Sequence, residues 1–145
     1  MDPARLFEIA NLTALAGWLM LAIAPLRRTL LVNAARVVGV GLAVTYTVLL
    51  AGVLLTLGEG GRELDFSSLE GVTRAFAQPE GVLVGWVHYL AFDLWVGAWE
   101  VEDAERRGLP HWALLPCLFF TLMFGPFGLL LYLAISRSPL ARRRA

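Results

Sequence analysis

The chain has no lysine, one cysteine and two histidines among its 145 residues. Each shortage excludes something. The lone Cys117 admits no intramolecular disulfide, and its place inside an apolar run leaves the redox compartment unreadable. Two histidines and one cysteine are too few for a zinc cage or a histidine-rich di-iron centre, so no metal is expected. Cations are not in surplus: twelve arginines face twelve acidic residues, which gives no basic footprint for nucleic acid. Charged residues of either sign make up only 17% of the chain, whereas 58% is hydrophobic, above the roughly 45–50% of soluble domains.

Those apolar residues gather in four segments, at about 6–24, 37–57, 82–101 and 112–135, each close to the roughly 20 residues that cross a bilayer. The first stops at Pro25-Leu26-Arg27-Arg28, the second lies between Arg36 and Gly58-Glu59-Gly60-Gly61, and the fourth leads into an arginine-rich tail over 136–145. Asp2 and Glu8 beside Arg5 make a poor basic n-region, so the first segment is expected to be a retained span and not a signal peptide. The fold expected is all-α: a polytopic membrane protein, one domain over 1–145 built as a four-transmembrane-helix bundle. Arg137, Arg142, Arg143 and Arg144 favour a cytoplasmic C-terminus. With four spans, both termini then lie inside, although Arg27, Arg28 and Arg36 in the first loop pull the other way. The longest loop, about 58–80, contains Ser67-Ser68-Leu69-Glu70, the spacing of a capping box. A short amphipathic helix is predicted over about 66–77, with Phe66, Leu69, Val72, Thr73 and Phe76 on one side. It would serve as a packed connector or lie in the headgroup plane.

The third segment carries the chemistry. At about 100° per residue, Tyr89, Asp93, Val96 and Glu100 share one stripe, and His88, Phe92, Trp95 and Trp99 form a neighbouring one. A carboxyl deep in a bilayer is expensive and marks a functional site by default. Asp93 is therefore the leading candidate for proton transfer, since burial disfavours the charged form of a carboxyl. The structural alternative is a buried group tying the bundle together through Asn11, Tyr46, Thr45 or an arginine. His88 lies nearer the start of the segment, where an interfacial histidine is commonplace. Glu100, Glu102, Asp103 and Glu105 run into the exit loop, and Glu102 with Arg106 has the i,i+4 spacing of a solvated pair. On the first segment, Glu8 and Asn11 share a face. Asn11 is a candidate bridge to another helix and a candidate ligand contact. Pro116 and Gly125-Pro126-Phe127-Gly128 predict kinks in the fourth segment, and Gly81 with Gly85 permits close helix approach.

The block WVHYLAFDLWVGAWEVEDAERRGLPHW, followed by PCLFFTLMFGPFGLLLYL, resembles the abscisic-acid-deficient-four family of four-span membrane proteins. So do NLTALAGWLMLAIAP in the first segment and FSSLEGVTRAFAQPEGVLVGW in the long loop. The resemblance weakens between Arg28 and Glu63. Plant members of that family are neoxanthin synthases, so the resemblance implies a carotenoid-linked isomerase acting on an epoxide end group, without metal or nucleotide. That reaction needs an acid at the epoxide oxygen and a base at the adjoining polyene carbon. From placement, Asp93 is the candidate acid, His88 or Glu100 the base, and Tyr89 an assisting donor. Phe92, Trp95, Trp99, Phe119, Phe120 and Phe124, with Asn11 at the edge, are candidate contacts for a long apolar carotenoid or other isoprenoid. The chain reads as bacterial, with a first span that begins too early to leave room for a transit peptide, so the cytoplasmic (inner) membrane is expected. Membrane lipid is an expected partner and a homo-oligomer is possible. Two other classes compete: a non-catalytic carotenoid- or lipid-binding subunit, and a small transporter or proton-coupled channel. The last is disfavoured because only one segment is rich in ionisable groups and no inverted repeat is present.

Overall fold

The computed structural model describes residues 2–59 and 65–138, the side chains of 57–59 excepted, and all regular structure within them is helical. The helix α1, Pro3–Ala22, opens with Asp2 as N-cap and Pro3 in its first turn, where proline's missing amide costs nothing. A 3-10 turn over Ala24–Leu26, built around Pro25, reverses the chain. It is followed by α2, Arg28–Glu59, a short α3, Leu69–Ala75, and α4, Pro79–Arg106. The last described helices are α5, His111–Phe124, and α6, Pro126–Ile135.

Three of these helices, α1, α2 and α4, are long and apolar enough to cross a membrane. They form an antiparallel bundle around α4. Phe7 and Asn11 of α1 meet Trp86 of α4, and Trp18 meets Gly97, so those two helices run the same way. α2 runs opposite: Arg28 pairs with Glu105, Arg36 with Glu102, and Tyr46 packs edge-on against His88. Lipid tails are as apolar as leucine, so association within a membrane depends on close packing and polar contacts more than on hydrophobic burial. The buried stripe of α1 fits that physics, with Ala10, Ala14 and Gly17 preceding Trp18 and Leu21. At Gly97 of α4 a methyl group would fall 2.6 Å from the Trp18 ring, so the indole occupies the space that glycine leaves.

Four spans are expected from the sequence, but the fourth segment is not one helix. It breaks at Gly125, with φ +45°, into helices of 14 and 10 residues. Each is shorter than the roughly 20 residues a crossing needs. The break is a reversal and not a kink. Thr121 of α5 lies against Glu100 and Gly125 against Asp93, whereas Tyr132 of α6 reaches Asp103. α5 therefore descends along α4 to mid-length, and α6 climbs back to the end from which α5 started.

The middle loop also differs in detail. α3 begins at Leu69, and its cap is Ser68, whose hydroxyl accepts from Gly71 N at 3.1 Å. The expected reciprocal box of Ser67 and Glu70 is absent. Asp65 takes the hydroxyls of both serines, and Glu70 pairs with Arg74. Gly81 and Gly85 do allow a close approach, but to α3 and Phe76, not to another span.

Candidate functional site

α4 presents a polar face to the α5–α6 hairpin, and the hairpin's own sequence explains why. Residue 126 is proline, so the carbonyl of Leu122 has no i+4 amide to accept from. The Tyr89 hydroxyl fills that vacancy, donating to Leu122 O at 3.1 Å. Irregular backbone at membrane depth is tolerated where protein covers it, and here Tyr89 supplies part of the cover.

One turn further along α4, Asp93 stands beside Tyr89 and against Gly125. A methyl group at position 125 would lie 2.9 Å from one Asp93 carboxylate oxygen and 3.0 Å from the other. Asp93 Oδ2 is buried and has no hydrogen-bond partner among the described residues. Position 93 is near the middle of α4, so this carboxyl sits at the tip of the hairpin and about as far from either end of the helix as any residue.

Glu100, two turns on and on the same face, is fully buried at 0% exposure. Its carboxylate accepts from the Thr121 hydroxyl, with oxygens at 3.0 and 3.2 Å, and pairs with no cation among the described residues. Asp103 ends the row. Tyr132 donates to it at 2.6 Å, and Arg106 and Arg107 both pair with it. The exit cluster is therefore not a solvated surface run. Glu100 and Asp103 are buried, and Glu102 pairs across to Arg36 at 2.6 Å instead of with Arg106.

His88 belongs elsewhere. It is exposed on the side of α4 towards α2, stacked on Phe92 with ring centroids 4.7 Å apart and edge-on to Tyr46. Trp95 lies on that side too, under the Arg36 guanidinium at 5.7 Å. Trp99 departs from its stripe and packs edge-on against Tyr132 of α6. Phe120 forms a ring cluster with Phe119, Phe124 and Phe127 on the hairpin's outer surface. The structure thus gathers Tyr89, Asp93 and Glu100 against one hairpin and leaves His88 outside that group.

The expected structural partners of Asp93 are otherwise engaged. Asn11 accepts from Trp86 Nε1 at 3.1 Å and donates to Phe7 O, which fulfils its expected role as a bridge between helices. Thr45 bonds its own helix at Gly41 O, and Tyr46 packs on His88. Sequence reasoning missed Thr121, Leu122 and Tyr132, and read Gly128 only as part of a kink. The signal was a threonine and a tyrosine on either side of Gly-Pro-x-Gly in an otherwise apolar segment. Among the described residues no group of three or more histidine, cysteine or carboxyl side chains is placed to hold a metal ion.

Comparison with curated proteins and with solved structures returns no match. A family model described as ABA DEFICIENT 4-like matches residues 5–132, from the first turn of α1 to the tyrosine that returns to Asp103. The chain with this three-helix core, broken hairpin and row of buried carboxyls belongs to the ABA DEFICIENT 4-like family.

Proposed function

We propose that this membrane protein is a cofactor-independent isomerase of an epoxy-carotenoid end group or a related isoprenoid polyene, working in a bacterial cytoplasmic membrane. The observation that carries the reading is Asp93, a mid-helix carboxyl with one buried, unpartnered oxygen facing the tip of a broken helix. Family membership adds the neoxanthin-synthase likeness. In the reaction, the acid gives its proton to the epoxide oxygen as the carbon–oxygen bond breaks. The base takes a proton from the adjoining polyene carbon, whose C–H electrons become the new carbon–carbon double bond. One proton enters and one leaves, so product and substrate are isomers and no oxidant is consumed.

Asp93 is the acid in this scheme. Glu100 is the base preferred over His88, because it shares the enclosed face with Asp93 while His88 points towards α2. The proton gained by Glu100 must return to Asp93 after each turnover, and a common face permits that return through side chains or water. Tyr89 positions the hairpin tip by holding Leu122. Phe124, exposed beside the tip, and Phe92, exposed on α4, offer the apolar flanks for a polyene.

The test is expression with a panel of epoxy-carotenoids and related polyenes, with pigments separated by chromatography and weighed by mass spectrometry. A product isomeric with its substrate is expected, lost in Asp93→Asn and retained in His88→Ala. Pigment that co-purifies unchanged across the panel would move the reading to a non-catalytic binding subunit. Equal turnover by Asp93→Asn would sink the assignment of the acid.

A further inference from the structure

The two ends of the bundle carry opposite charge, and the hairpin decides which residues belong to which end. Because α6 returns to Asp103, the end that holds the α1–α2 turn also holds the α4–α5 turn and the close of α6. Among the residues whose side chains are described, this end carries six arginines, Arg27, Arg28, Arg36, Arg106, Arg107 and Arg137, against three acids, Glu102, Asp103 and Glu105. The other end carries two, Arg5 and Arg74, against five, Asp2, Glu8, Asp65, Glu70 and Glu80. The difference is therefore three charges in excess of each sign. Arg142, Arg143 and Arg144 follow in the sequence after the close of α6.

A fourth crossing would set the first-loop arginines and those of the C-terminal segment on opposite sides of the membrane. The folded hairpin removes that conflict. α5 and α6 total 24 residues as separate helices of 14 and 10, and their tip meets Asp93 near the middle of α4. Arginine-rich short loops stay on the cytoplasmic side, and basic groups near that surface are attracted to its anionic lipids. Four of the six arginines are already paired within the protein. Among the described residues Arg27 is exposed without an ion pair, and Arg137 is exposed and bonded to the carbonyl of Leu133.

We propose that the arginine-bearing end is the cytoplasmic one and rests on anionic phospholipid headgroups through Arg27 and Arg137, with α5–α6 a re-entrant hairpin that enters and leaves the membrane on that side. The chain then crosses three times, its N-terminus and middle loop lie on the far side, and Asp93 is reached by the hairpin tip from the cytoplasmic face. This assignment does not depend on the chemistry proposed for Asp93.

Single cysteines test the topology. In a Cys117→Ala background, Ser67→Cys, Arg27→Cys and Ala145→Cys are expressed in bacteria and exposed to a membrane-impermeant maleimide in spheroplasts. Ser67→Cys is expected to label directly, and Arg27→Cys and Ala145→Cys only after permeabilisation. If position 145 labels with position 67, while 27 behaves oppositely, the fourth segment crosses and the proposal fails. If position 27 labels directly and 67 does not, the orientation fails. The lipid contact has its own readout. Purified protein in mixed phosphatidylcholine–phosphatidylglycerol nanodiscs is analysed for retained lipid by native mass spectrometry. Preferential retention of phosphatidylglycerol should fall about fivefold for each charge removed in Arg27→Gln and Arg137→Gln. Equal retention by wild type and both variants would overturn that contact.

Discussion

The two sides of α4 are built from similar residues and do different work. Towards α2, His88, Phe92 and Trp95 form an open aromatic surface, and Phe92 is 63% exposed. Its charged pair, Arg36 with Glu102, is only half-buried. Towards the hairpin, Glu100 is fully enclosed with a single hydroxyl partner, and Asp93 keeps one oxygen with none. The difference lies in what each side packs against. A continuous helix such as α2 has its carbonyls and amides satisfied internally and offers a neighbour little beyond side chains. The broken helix offers Leu122 O, the Thr121 hydroxyl and a glycine tip, so polar groups on α4 find a place there.

Closing the hairpin is the strongest way to test that account. A methyl group at Gly128 would fall 2.0 Å from the backbone nitrogen of Thr121 and 2.3 Å from its hydroxyl. Backbone cannot yield as a flexible side chain can. Gly128→Ala is therefore expected to separate α6 from α5 and cost about 3 kcal/mol or more, above the usual range for overpacking. Thermal unfolding in detergent measures it. A small change, below about 1 kcal/mol, would mean that the two half-helices are held apart and the enclosed face is not enclosed. Phe92→Ala on the open side should leave stability nearly unchanged by the same assay.

The next contrast sits at Thr121. Thr121→Val keeps the shape and removes the one donor to Glu100. A buried polar group left unsatisfied costs roughly 1–3 kcal/mol, and Thr121→Ser, which restores a hydroxyl, should recover most of it. If valine and serine behave alike, Glu100 draws its stability from somewhere other than the hairpin.

The sequence foretold the helices better than their pairing. Composition placed the close of the first two helices well, near Pro25 and Gly58-Glu59, but α2 begins at Arg28 and not near 37, and α4 runs on to Arg106 past the expected close at about 101. The stripe of Tyr89, Asp93 and Glu100 followed from helical phase, and that phase also separated His88 from Asp93. What the sequence could not show is where the fourth segment goes after Pro126. A proline next to glycine removes a donor and loosens the chain, but removal of a bond specifies no direction. The reversal depends on Thr121, Tyr132 and the two glycines finding partners on α4, and those contacts appear only in three dimensions. The same limit explains the misplaced pairing of Glu102, whose i+4 arginine was visible and whose partner 66 residues away, Arg36, was not.

On the open side, Arg36 is the residue to change. Its guanidinium bonds Glu102 and lies over Trp95. Half-exposed ion pairs contribute up to about 1 kcal/mol, and an accessible cation–π contact adds a similar amount. Arg36→Met should thus cost up to about 2 kcal/mol, below the upper end of the Thr121→Val range although it removes two interactions, and the loss should shrink in high salt. A loss exceeding that of Thr121→Val would reverse the ranking of the two sides.

Asp65 supplies the weakest case, a half-buried carboxyl in the middle loop. It accepts from Ser67 and Ser68 ahead of α3, and those hydrogen bonds bring its pKa down to about 2 from 3.8. A carboxyl whose folded value is depressed stabilises its surroundings above the unfolded value and loses that contribution as pH falls through the folded one. Acidification from above pH 4 to about 2 should therefore loosen the Asp65–Ser68 cap, seen as faster amide exchange at Gly71 and Val72 after correction for intrinsic rates. Asp65→Asn should remove that pH dependence while leaving unfolding of the bundle unchanged, because α3 is a short loop helix that meets the start of α4 at Gly81 and Gly85. If the whole bundle melted with the cap, the loop helix would be part of the enclosed core. The contrast between covered and open carboxyls would then extend well beyond the hairpin.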